Sequence, residues 1–245
     1  MERYMEEVKC SLCEDTGWVM GKDGVKKCLC RYSEITEDIF SRMRIPRRYR
    51  DKELENFIPE KKYGHNFILT RIEDYINSED FLEGKGLFLV GPPGVGKTHL
   101  AVGILKEFFK RKGVVGLFYD TRSLLFNLKA SFDGSASSRE ILEEVIETPI
   151  LVLDDLGSER LSDWARDILH YIIINRYNDL KPIIITSNIE LKSKKKVEED
   201  ILENTLEERM GQAIASRLSE MCEILPVKGK DRRGTALKER TGDKK

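Results

Sequence analysis

The stretch from Gly86 to Thr98 restricts the fold of this chain more than any other part of the sequence. The apolar run Leu87–Val90 is typical of a strand, and it is followed by Gly91-Pro-Pro-Gly-Val-Gly-Lys97-Thr98. That octapeptide matches the pattern G-x-x-x-x-G-K-[ST] at every fixed position. A helical pattern then runs from about Lys97 to Lys112. Because strand, glycine-rich loop and helix occur in this order, the sequence predicts a phosphate-binding loop.

The residue types of this loop predict a site for ATP or ADP. The glycines would let the backbone N–H groups surround an anion, and the helix N-terminus adds a partial positive charge. Lys97 would reach the β- and γ-phosphates, and the hydroxyl of Thr98 would bind Mg²⁺. A glycine-rich turn that binds nothing is the alternative. The candidate nucleotide-binding residues are Gly91, Pro92, Pro93, Gly94, Val95, Gly96, Lys97, Thr98, His99 and Asp154.

Polar side chains also follow two later apolar runs of strand type. Asp154 and Asp155 come directly after Ile150–Leu153, and Asn188 ends the strand that begins at Pro182. Asp154 is predicted to hold Mg²⁺ directly or through water, and Asp155 to polarise the attacking water. Asn188 would orient that water or sense the γ-phosphate. A helix cap for the two aspartates and a turn for Asn188 are the alternative interpretations.

Strand and helix patterns alternate through most of the chain. This alternation predicts an α/β fold with a parallel sheet, helices on both faces and ligands at the carboxyl ends of the strands. The predicted strands are Leu87–Val90, Val114–Tyr119, Pro149–Asp155, Pro182–Asn188 and Cys222–Pro226. The helices are expected at 66–82, 97–112, 121–132, from about 139 to 147, 161–178 and, as one long helix, 202–221.

Four cysteines near the amino terminus have the spacing of a metal site. Cys10 and Cys13 are followed by Cys28 and Cys30, across a predicted hairpin that carries several glycines. Two such pairs suit tetrahedral thiolate ligation of Zn²⁺, and four thiolates would leave no open position for catalysis. Disulfides or free thiols are the alternative, although a reducing cytosol disfavours disulfides. Cys222 lies in an apolar run and is expected to be a buried core residue.

Charge and length indicate one main domain with a small appendage. The chain has 245 residues and a formal net charge of −1, so any binding of nucleic acid must be local. Its arginine-rich segment 42–50 suggests a hinge, with a solvated linker or a contact with nucleic acid or an acidic partner as interpretations. We therefore expect a zinc-binding module with its hinge at 1–45 and an ATPase domain at 46–245. No apolar run could cross a bilayer, so we expect a cytoplasmic protein without a membrane partner.

Four segments together resemble the bacterial helicase-loader family, the DnaC/DnaI type of AAA+ ATPase. They are the cysteine pattern 10–30, the loop Gly91–Thr98, the segment Ile150–Gly157 and Ile185-Thr-Ser-Asn188. The similarity covers nearly the whole chain, and the last two segments narrow it to this clade. It implies an AAA+ P-loop NTPase with a five-stranded parallel sheet and a small zinc-binding module before it. Asp155 stands where most AAA+ proteins carry Glu, so hydrolysis is expected to be slow.

The resemblance also implies a function and partners. Members of the family escort a ring-shaped DnaB-type replicative helicase onto single-stranded DNA, hold it with a zinc-containing region and assemble into ATP-dependent oligomers. The replication initiator is a further candidate partner. Two other interpretations stay open: a similar transposition helper ATPase of the IstB type, and a small-molecule kinase. The cysteine-rich segment favours the loader over both.

Arginines and DNA contacts complete the set of candidates. Arg209 or Arg217 would act in trans on a neighbour's γ-phosphate, with an ordinary surface role as the alternative. Arg233 resembles the family's second sensor arginine, which contacts the chain's own nucleotide. Single-stranded DNA is expected at Tyr119, at 121–123 and at the lysine run 194–196, for which a solvated helix start is the alternative.

Overall fold

The strands form a short hairpin and a five-stranded parallel sheet. The computed structural model describes residues 10–21, 24–28, 30, 37–130, 136–158, 161–191 and 205–233. Strands β1 (Trp18–Gly21) and β2 (Gly24–Lys27) pair antiparallel near the cysteines. The sheet contains β3 (Gly86–Val90), β4 (Leu117–Asp120), β5 (Leu151–Asp154), β6 (Ile183–Ser187) and β7 (Cys222–Pro226). Its order, β4-β5-β6-β3-β7, confirms the predicted five-stranded parallel sheet.

Helices cover both faces of this sheet, as predicted. They are α1 (Glu37–Arg42), α2 (His65–Asn77), α3 (Lys97–Lys112), α4 (Thr121–Ala130), α5 (Ala136–Glu147), α6 (Asp163–Asn178), α7 (Leu206–Met210) and α8 (Gln212–Met221). Helices α1 to α3 pack on one face and α4 to α8 on the other, which gives two apolar clusters. None of the helices that the structure describes combines the length and apolar character needed to cross a membrane.

The apolar run of strand β3 is continuous rather than alternating because both faces of the strand are covered. Leu87 and Leu89 belong to the cluster beneath α2 and α3, whereas Phe88 and Val90 belong to the cluster on the opposite face. All four side chains are buried because helices cover the strand on both sides. The strand lies between β6 and β7 in the sheet. The loop that follows it therefore opens at the carboxyl edge of the sheet, one strand in from its β7 end.

The arginine-rich segment does not form a solvated hinge. Met43 and Ile45 are buried in the core beneath α3, and the carbonyl of Met43 accepts a hydrogen bond from Phe118 N at 2.9 Å. Arg44 pairs with Glu144 at 2.7 Å. These contacts do not support a hinge at residues 42–50. Residues 37–45, grouped above with the zinc-binding module, pack on the core of the five-stranded sheet instead.

The predicted long helix at 202–221 is wrong in its described part, because two helices replace it. Gly211 has φ +93 and separates α7 from α8. Helix α7 begins with a capping box, in which Thr205 and Glu208 exchange hydrogen bonds between side chains and backbone. Residues 201–204 lie outside the part of the chain that the structure describes.

Several other boundaries differ by a few residues, among them the start of α5 at Ala136 rather than at about 139. Strand β4 begins at Leu117 rather than at Val114, because Val114 N still bonds to the carbonyl of Phe108 at the end of α3. Helix α2 ends at Asn77, and Asp80–Glu83 forms a separate 3-10 turn. These differences lie at the ends of elements, where sequence patterns define boundaries least well.

Candidate functional site

The predicted phosphate-binding loop lies between β3 and α3, at the carboxyl edge of the sheet. Gly94 has φ +80 and Gly96 has φ +107, and residues other than glycine rarely adopt such positive φ angles. A Cβ at Gly96 would lie 2.7 Å from a ring atom of Phe57. The loop conformation therefore depends on glycine at these two positions, as a backbone that wraps an anion requires.

The side chain of Lys97 turns back over this loop. Its ammonium donates hydrogen bonds to the carbonyls of Gly91 (2.7 Å) and Pro92 (2.8 Å) and to Oδ1 of Asn188 (2.8 Å). Burial lowers the pKa of Lys97 to about 8, although Asp155 and Asp154 oppose the shift. The buried ammonium is held by neutral acceptors. An anionic phosphate in the loop would offer it a stronger, charge-assisted partner.

Asp154 and Thr98 place oxygen atoms together beside the loop. The hydroxyl of Thr98 donates to Oδ1 of Asp154 at 2.9 Å, and that of Thr186 donates to the same oxygen at 2.6 Å. Burial raises the pKa of the Asp154 carboxyl. Hydroxyl and carboxylate oxygens are ligands that Mg²⁺ accepts beside phosphates. The residues therefore fit the magnesium role predicted for Thr98 and Asp154.

Asp155 and Asn188 meet across the ends of neighbouring strands. Asn188 Nδ2 donates to Oδ1 of Asp155 at 2.7 Å, while its Oδ1 accepts from Lys97. Asp155 has φ +58, and its N–H donates to the hydroxyl of Thr186 at 2.8 Å. Asn188 thus joins the predicted phosphate ligand to the predicted water-polarising carboxylate. Sequence reasoning missed Thr186, whose signal was a hydroxyl inside an isoleucine-rich strand.

His99 faces away from the loop interior. Its Nε2 lies 2.7 Å from the carbonyl of Glu53, and its ring contacts the edge of Phe57. Burial lowers the pKa of His99. The contacts place His99 against the segment that precedes α2. The ring of His99 holds that segment, and the contact of His99 with the nucleotide stays a prediction.

The three candidate arginines have different surroundings. Arg209 donates to the carbonyl of Gly157 of its own chain at 2.6 Å. Arg217 is half-buried, donates to the carbonyl of Ala213 and lies over the ring of Tyr177, 5.8 Å from its centroid. Arg233 is exposed, and its charge contributes to lowering the pKa of Lys97. Arg209 therefore contacts the turn that follows Asp155, and the trans role predicted for Arg209 or Arg217 stays a prediction.

A carboxyl-terminal segment that follows β7 lies along the loop, and sequence reasoning missed most of its contacts. Arg232 N donates to the carbonyl of Gly94 at 3.0 Å, and its guanidinium lies 4.5 Å from the centroid of Phe57. His65 Nε2 lies 2.7 Å from the carbonyl of Lys228. The motif Gly229–Arg233 identified only Arg233 as a candidate. The adjacent Arg232 instead fixes the segment against the loop.

Two of the predicted DNA contacts are buried in the structure. Tyr119 is 6% exposed, and its hydroxyl donates to Glu144 while Arg44 covers its ring. Thr121 is 3% exposed and donates to the carbonyl of Asp154. The prediction that Tyr119 and Thr121 contact DNA is therefore wrong, because a base could not stack on or reach either side chain. Arg122 and Ser123 are exposed, and the run 194–196 lies outside the described residues.

The four amino-terminal cysteines converge. Their sulfur atoms all lie within 4.8 Å of one another, with Cys10 and Cys28 3.7 Å apart and Cys13 and Cys30 3.4 Å apart. These distances are too long for a disulfide of ~2.05 Å. Thiolates on a tetrahedral Zn²⁺, each about 2.3 Å from the ion, would lie roughly 3.8 Å apart. The cluster therefore has the chemistry and dimensions of a structural zinc site.

Backbone donors around the cysteines support the same interpretation. Gly17 N donates to Cys13 Sγ at 3.3 Å. Hydrogen bonds from the backbone of Leu12 and Cys13 lower the pKa of Cys10 to about 7. Both contacts stabilise thiolate, which is the form that binds metal, whereas the hydrogen bond with Cys13 raises the pKa of Cys30. Cys222, by contrast, is buried in the core as predicted, and burial raises its pKa to about 12.

Comparisons with known proteins agree with this geometry. The family model described as "IstB-like ATP binding protein" matches residues 60–240. The uncharacterized protein YqaM of Bacillus subtilis (strain 168) is 29% identical over 205 residues, which is 75% of this chain and 59% of that protein. The replicative helicase loader DnaI of the same organism is 30% identical over 123 residues, or 49% and 39%. The chain thus spans less than two thirds of either relative.

A solved structure extends the comparison. The crystal structure of the DnaC helicase loader is 43% identical, with a TM-score of 0.64, and the match covers 74% of this chain and 99% of that one. The identity and coverage exceed what a shared fold alone would require. The chain therefore belongs to the family of IstB-like ATP-binding proteins, and it is an AAA+ protein similar to helicase loaders of the DnaC/DnaI type.

Proposed function

We propose that the chain is an ATP-dependent loader of a DnaB-type replicative helicase onto single-stranded DNA. The observation that carries the proposal is the 43% identity to the DnaC helicase loader over 99% of that structure. The cysteine cluster beside an AAA+ core supports it further, because it offers a separate surface for a partner. The product of such a protein is a loaded ring, and nucleotide binding would act as the switch.

The proposed ATP chemistry assigns one role to each residue of the site. Lys97 would contact the β- and γ-phosphates, and Thr98 and Asp154 would hold Mg²⁺, which neutralises phosphate charge when bound. Asp155 would polarise the attacking water, and Asn188 would orient it. The hydrogen bond between Asn188 and Asp155 supports this pairing. A carboxylate one methylene shorter than Glu is expected to make hydrolysis slow.

The proposed transition-state contact comes from a neighbouring subunit. Arg217 is half-buried against Tyr177, and its guanidinium donates to the carbonyl of Ala213 in its own helix. Both interactions are weak enough to exchange for a γ-phosphate, which would bind a guanidinium through charge-assisted hydrogen bonds. Arg233 would contact the chain's own nucleotide. Self-assembly in ATP is therefore part of the proposal.

Single-stranded DNA would run along the exposed side of α4. Arg122 and Ser123 are exposed there, and Phe126 is 71% exposed in the next turn of the helix. A guanidinium beside an aromatic ring suits a phosphate followed by a stacked base. Because the net charge is −1, few phosphate contacts and a shallow salt dependence are expected.

A transposition helper is the second candidate function, and the match to the IstB-like model favours it. The two functions differ in partner: a ring helicase and single-stranded DNA, or a transposase and duplex DNA. The test is capture of the purified full-length chain, in ATP, by the replicative helicase and by a transposase from the same cell. Capture by the helicase alone is expected. Capture by the transposase alone would replace the proposal with the second candidate.

Lys97→Ala is expected to weaken ATP binding by roughly 10- to 150-fold. The substitution removes charge-assisted hydrogen bonds to phosphate, worth about 1.5–3 kcal/mol. Titration of a fluorescent ATP analogue measures the change. Lys129→Ala, at an exposed position on α4, is the matched control and should bind ATP as the wild type does. Equal affinity of the Lys97→Ala protein would remove the loop from the proposed site.

A further inference from the structure

The turn after Asp155 has an unusual backbone. Asp155 has φ +58 and Gly157 has φ +77, so two residues of a four-residue turn are in the left-handed region. Ser158 N closes the turn onto the carbonyl of Asp155 at 3.4 Å. The direction of the Asp155 carboxylate depends on this backbone. Contacts that fix the turn therefore fix the proposed water-polarising group.

Strand β6 holds the first half of this turn. Asp155 N donates to the hydroxyl of Thr186, and Leu156 N donates to the carbonyl of Thr186 at 2.9 Å. The hydroxyl of Ser187 donates to the carbonyl of Leu156 at 2.8 Å. These three hydrogen bonds are made by the strand that leads to Asn188. None of these three hydrogen bonds involves the carbonyl of Gly157.

Helix α7 holds the second half. The Arg209 guanidinium donates to the carbonyl of Gly157 at 2.6 Å. Leu206 packs against the same glycine so closely that a Cβ there would lie 2.3 Å from its Cδ2 atom. A charged donor on a backbone carbonyl makes a stronger hydrogen bond than a neutral one. Arg209 is thus the polar contact from α7 to the turn that carries Asp155.

The same short helix is also attached to the segment after Asn188. Leu206 N donates to the carbonyl of Glu190 at 2.9 Å, and Glu207 N donates to that of Leu191 at 3.0 Å. Past Gly211 the chain continues into α8, which carries Arg217. Helix α7 therefore connects both halves of the proposed catalytic pair to the helix proposed to reach a neighbour.

We infer that Arg209 is a positioning residue that acts in cis: through Gly157 it holds Asp155 in the orientation needed for turnover and links it to the Arg217 helix. This inference rests on the proposed hydrolysis, and it replaces the trans role predicted for Arg209 from the sequence. A finger residue would need its guanidinium at the neighbour's phosphate. Arg209 instead donates its guanidinium to the turn that carries Asp155, whereas Arg217 donates to a carbonyl of its own helix.

A kinetic split tests the positioning role. Arg209→Ala is expected to lower kcat about ten- to a hundredfold, because misplacement of a reacting group by about 1 Å has effects of up to this size. The dissociation constant for ATP should stay within about twofold. Arg209→Lys should recover part of kcat, since an ammonium can donate to the same carbonyl. Arg166→Ala, which breaks an exposed pair with Asp163, is the control.

Mixing experiments separate cis from trans action. Arg209→Ala mixed with Lys97→Ala should show no recovery of hydrolysis, because the intact loop and the intact Arg209 lie in different chains. Arg217→Ala mixed with Lys97→Ala should recover, because those residues meet at one interface. Recovery in the first mixture would overturn the inference. Failure of the second mixture would contradict the proposed finger instead, so the two failures are distinguishable.

Hydrogen exchange gives a readout that needs no hydrolysis. In Arg209→Ala the amides of 156–158 should exchange faster than in the wild type, whereas in Arg217→Ala they should not change. Unchanged exchange in Arg209→Ala, or a wild-type kcat, would overturn the inference. If the alanine variant does not fold, Arg209→Gln carries the same test, because its side-chain amide is too short to reach Gly157 as the guanidinium does.

Discussion

Asp155→Asn is expected to bind ATP with wild-type affinity and to hydrolyse it about 10²- to 10⁴-fold more slowly. The substitution removes the carboxylate that would take up a proton from the attacking water, and general base catalysis contributes a factor of this size. An asparagine at position 155 should keep the backbone conformation and the hydrogen bond that Asp155 makes. It tolerates the left-handed backbone at φ +58, and its Oδ1 can still accept from Asn188 at the position where Asp155 does. The folded state should therefore survive the change.

Steady-state hydrolysis and nucleotide titration on the same preparation measure this result. Asp163→Asn is the matched control, because it makes the same chemical change at an exposed first-turn position of α6. It should alter neither quantity. If Asp155→Asn hydrolysed ATP at the wild-type rate, the water-polarising role would belong to another residue.

Removing zinc from the cysteine cluster is expected to abolish helicase capture while ATP binding persists. A hairpin with Trp18 46% and Met20 83% exposed has little core of its own, so ligation by Cys10, Cys13, Cys28 and Cys30 would supply most of its folding free energy. Structural zinc contributes about 10–16 kcal/mol in comparable small sites. Loss of the metal should therefore unfold the hairpin without disturbing the AAA+ core.

Elemental analysis of freshly reduced protein measures the metal. About one Zn²⁺ per chain is expected for four thiolate ligands. Cys13→Ser should lose the ion, and Cys222→Ala, which changes a buried cysteine of the core, should keep it. Well under one zinc per wild-type chain would refute the zinc site. Full helicase capture by Cys13→Ser would show that another surface binds the helicase.

Much of the fold and of the candidate site follows from local sequence. The runs Leu87–Val90 and Ile150–Leu153 are apolar throughout because helices cover both faces of β3 and β5, and their polar ends mark the carboxyl edge. Because parallel strands place their carboxyl ends together, the sequence alone predicts that Lys97, Asp155 and Asn188 lie in one site. The structure brings these three side chains into one hydrogen-bonded chain.

The arginines show where local sequence stops being informative. Arg209 and Arg217 both follow the strand that carries Asn188, and their spacing cannot decide which one faces a neighbour. The decision comes from the break at Gly211, which separates the helices that carry them. That break had a readable signal, because Thr205-Leu-Glu-Glu208 is a capping box and a glycine follows it.

The burial of residues at the edge strand β4 could not be predicted from the sequence either. Tyr119 near the end of β4 and Thr121 directly after it look like exposed polar residues, but the neighbouring α5 and the segment around Arg44 cover Tyr119. Which element covers an edge depends on long-range packing rather than on the local pattern. The same packing places Met43 and Ile45 in the core, where an arginine-rich segment had suggested a hinge.

Transfer of the replicative helicase onto closed circular single-stranded DNA tests the central proposal most directly. A preassembled ring cannot thread onto a circle without free ends, so bound helicase reports opening or loading rather than sliding. In ATP the wild-type chain should raise the amount of helicase recovered on the circles, and Lys97→Ala should not. Equal recovery with the wild-type chain, with Lys97→Ala and with neither protein would contradict the loader function.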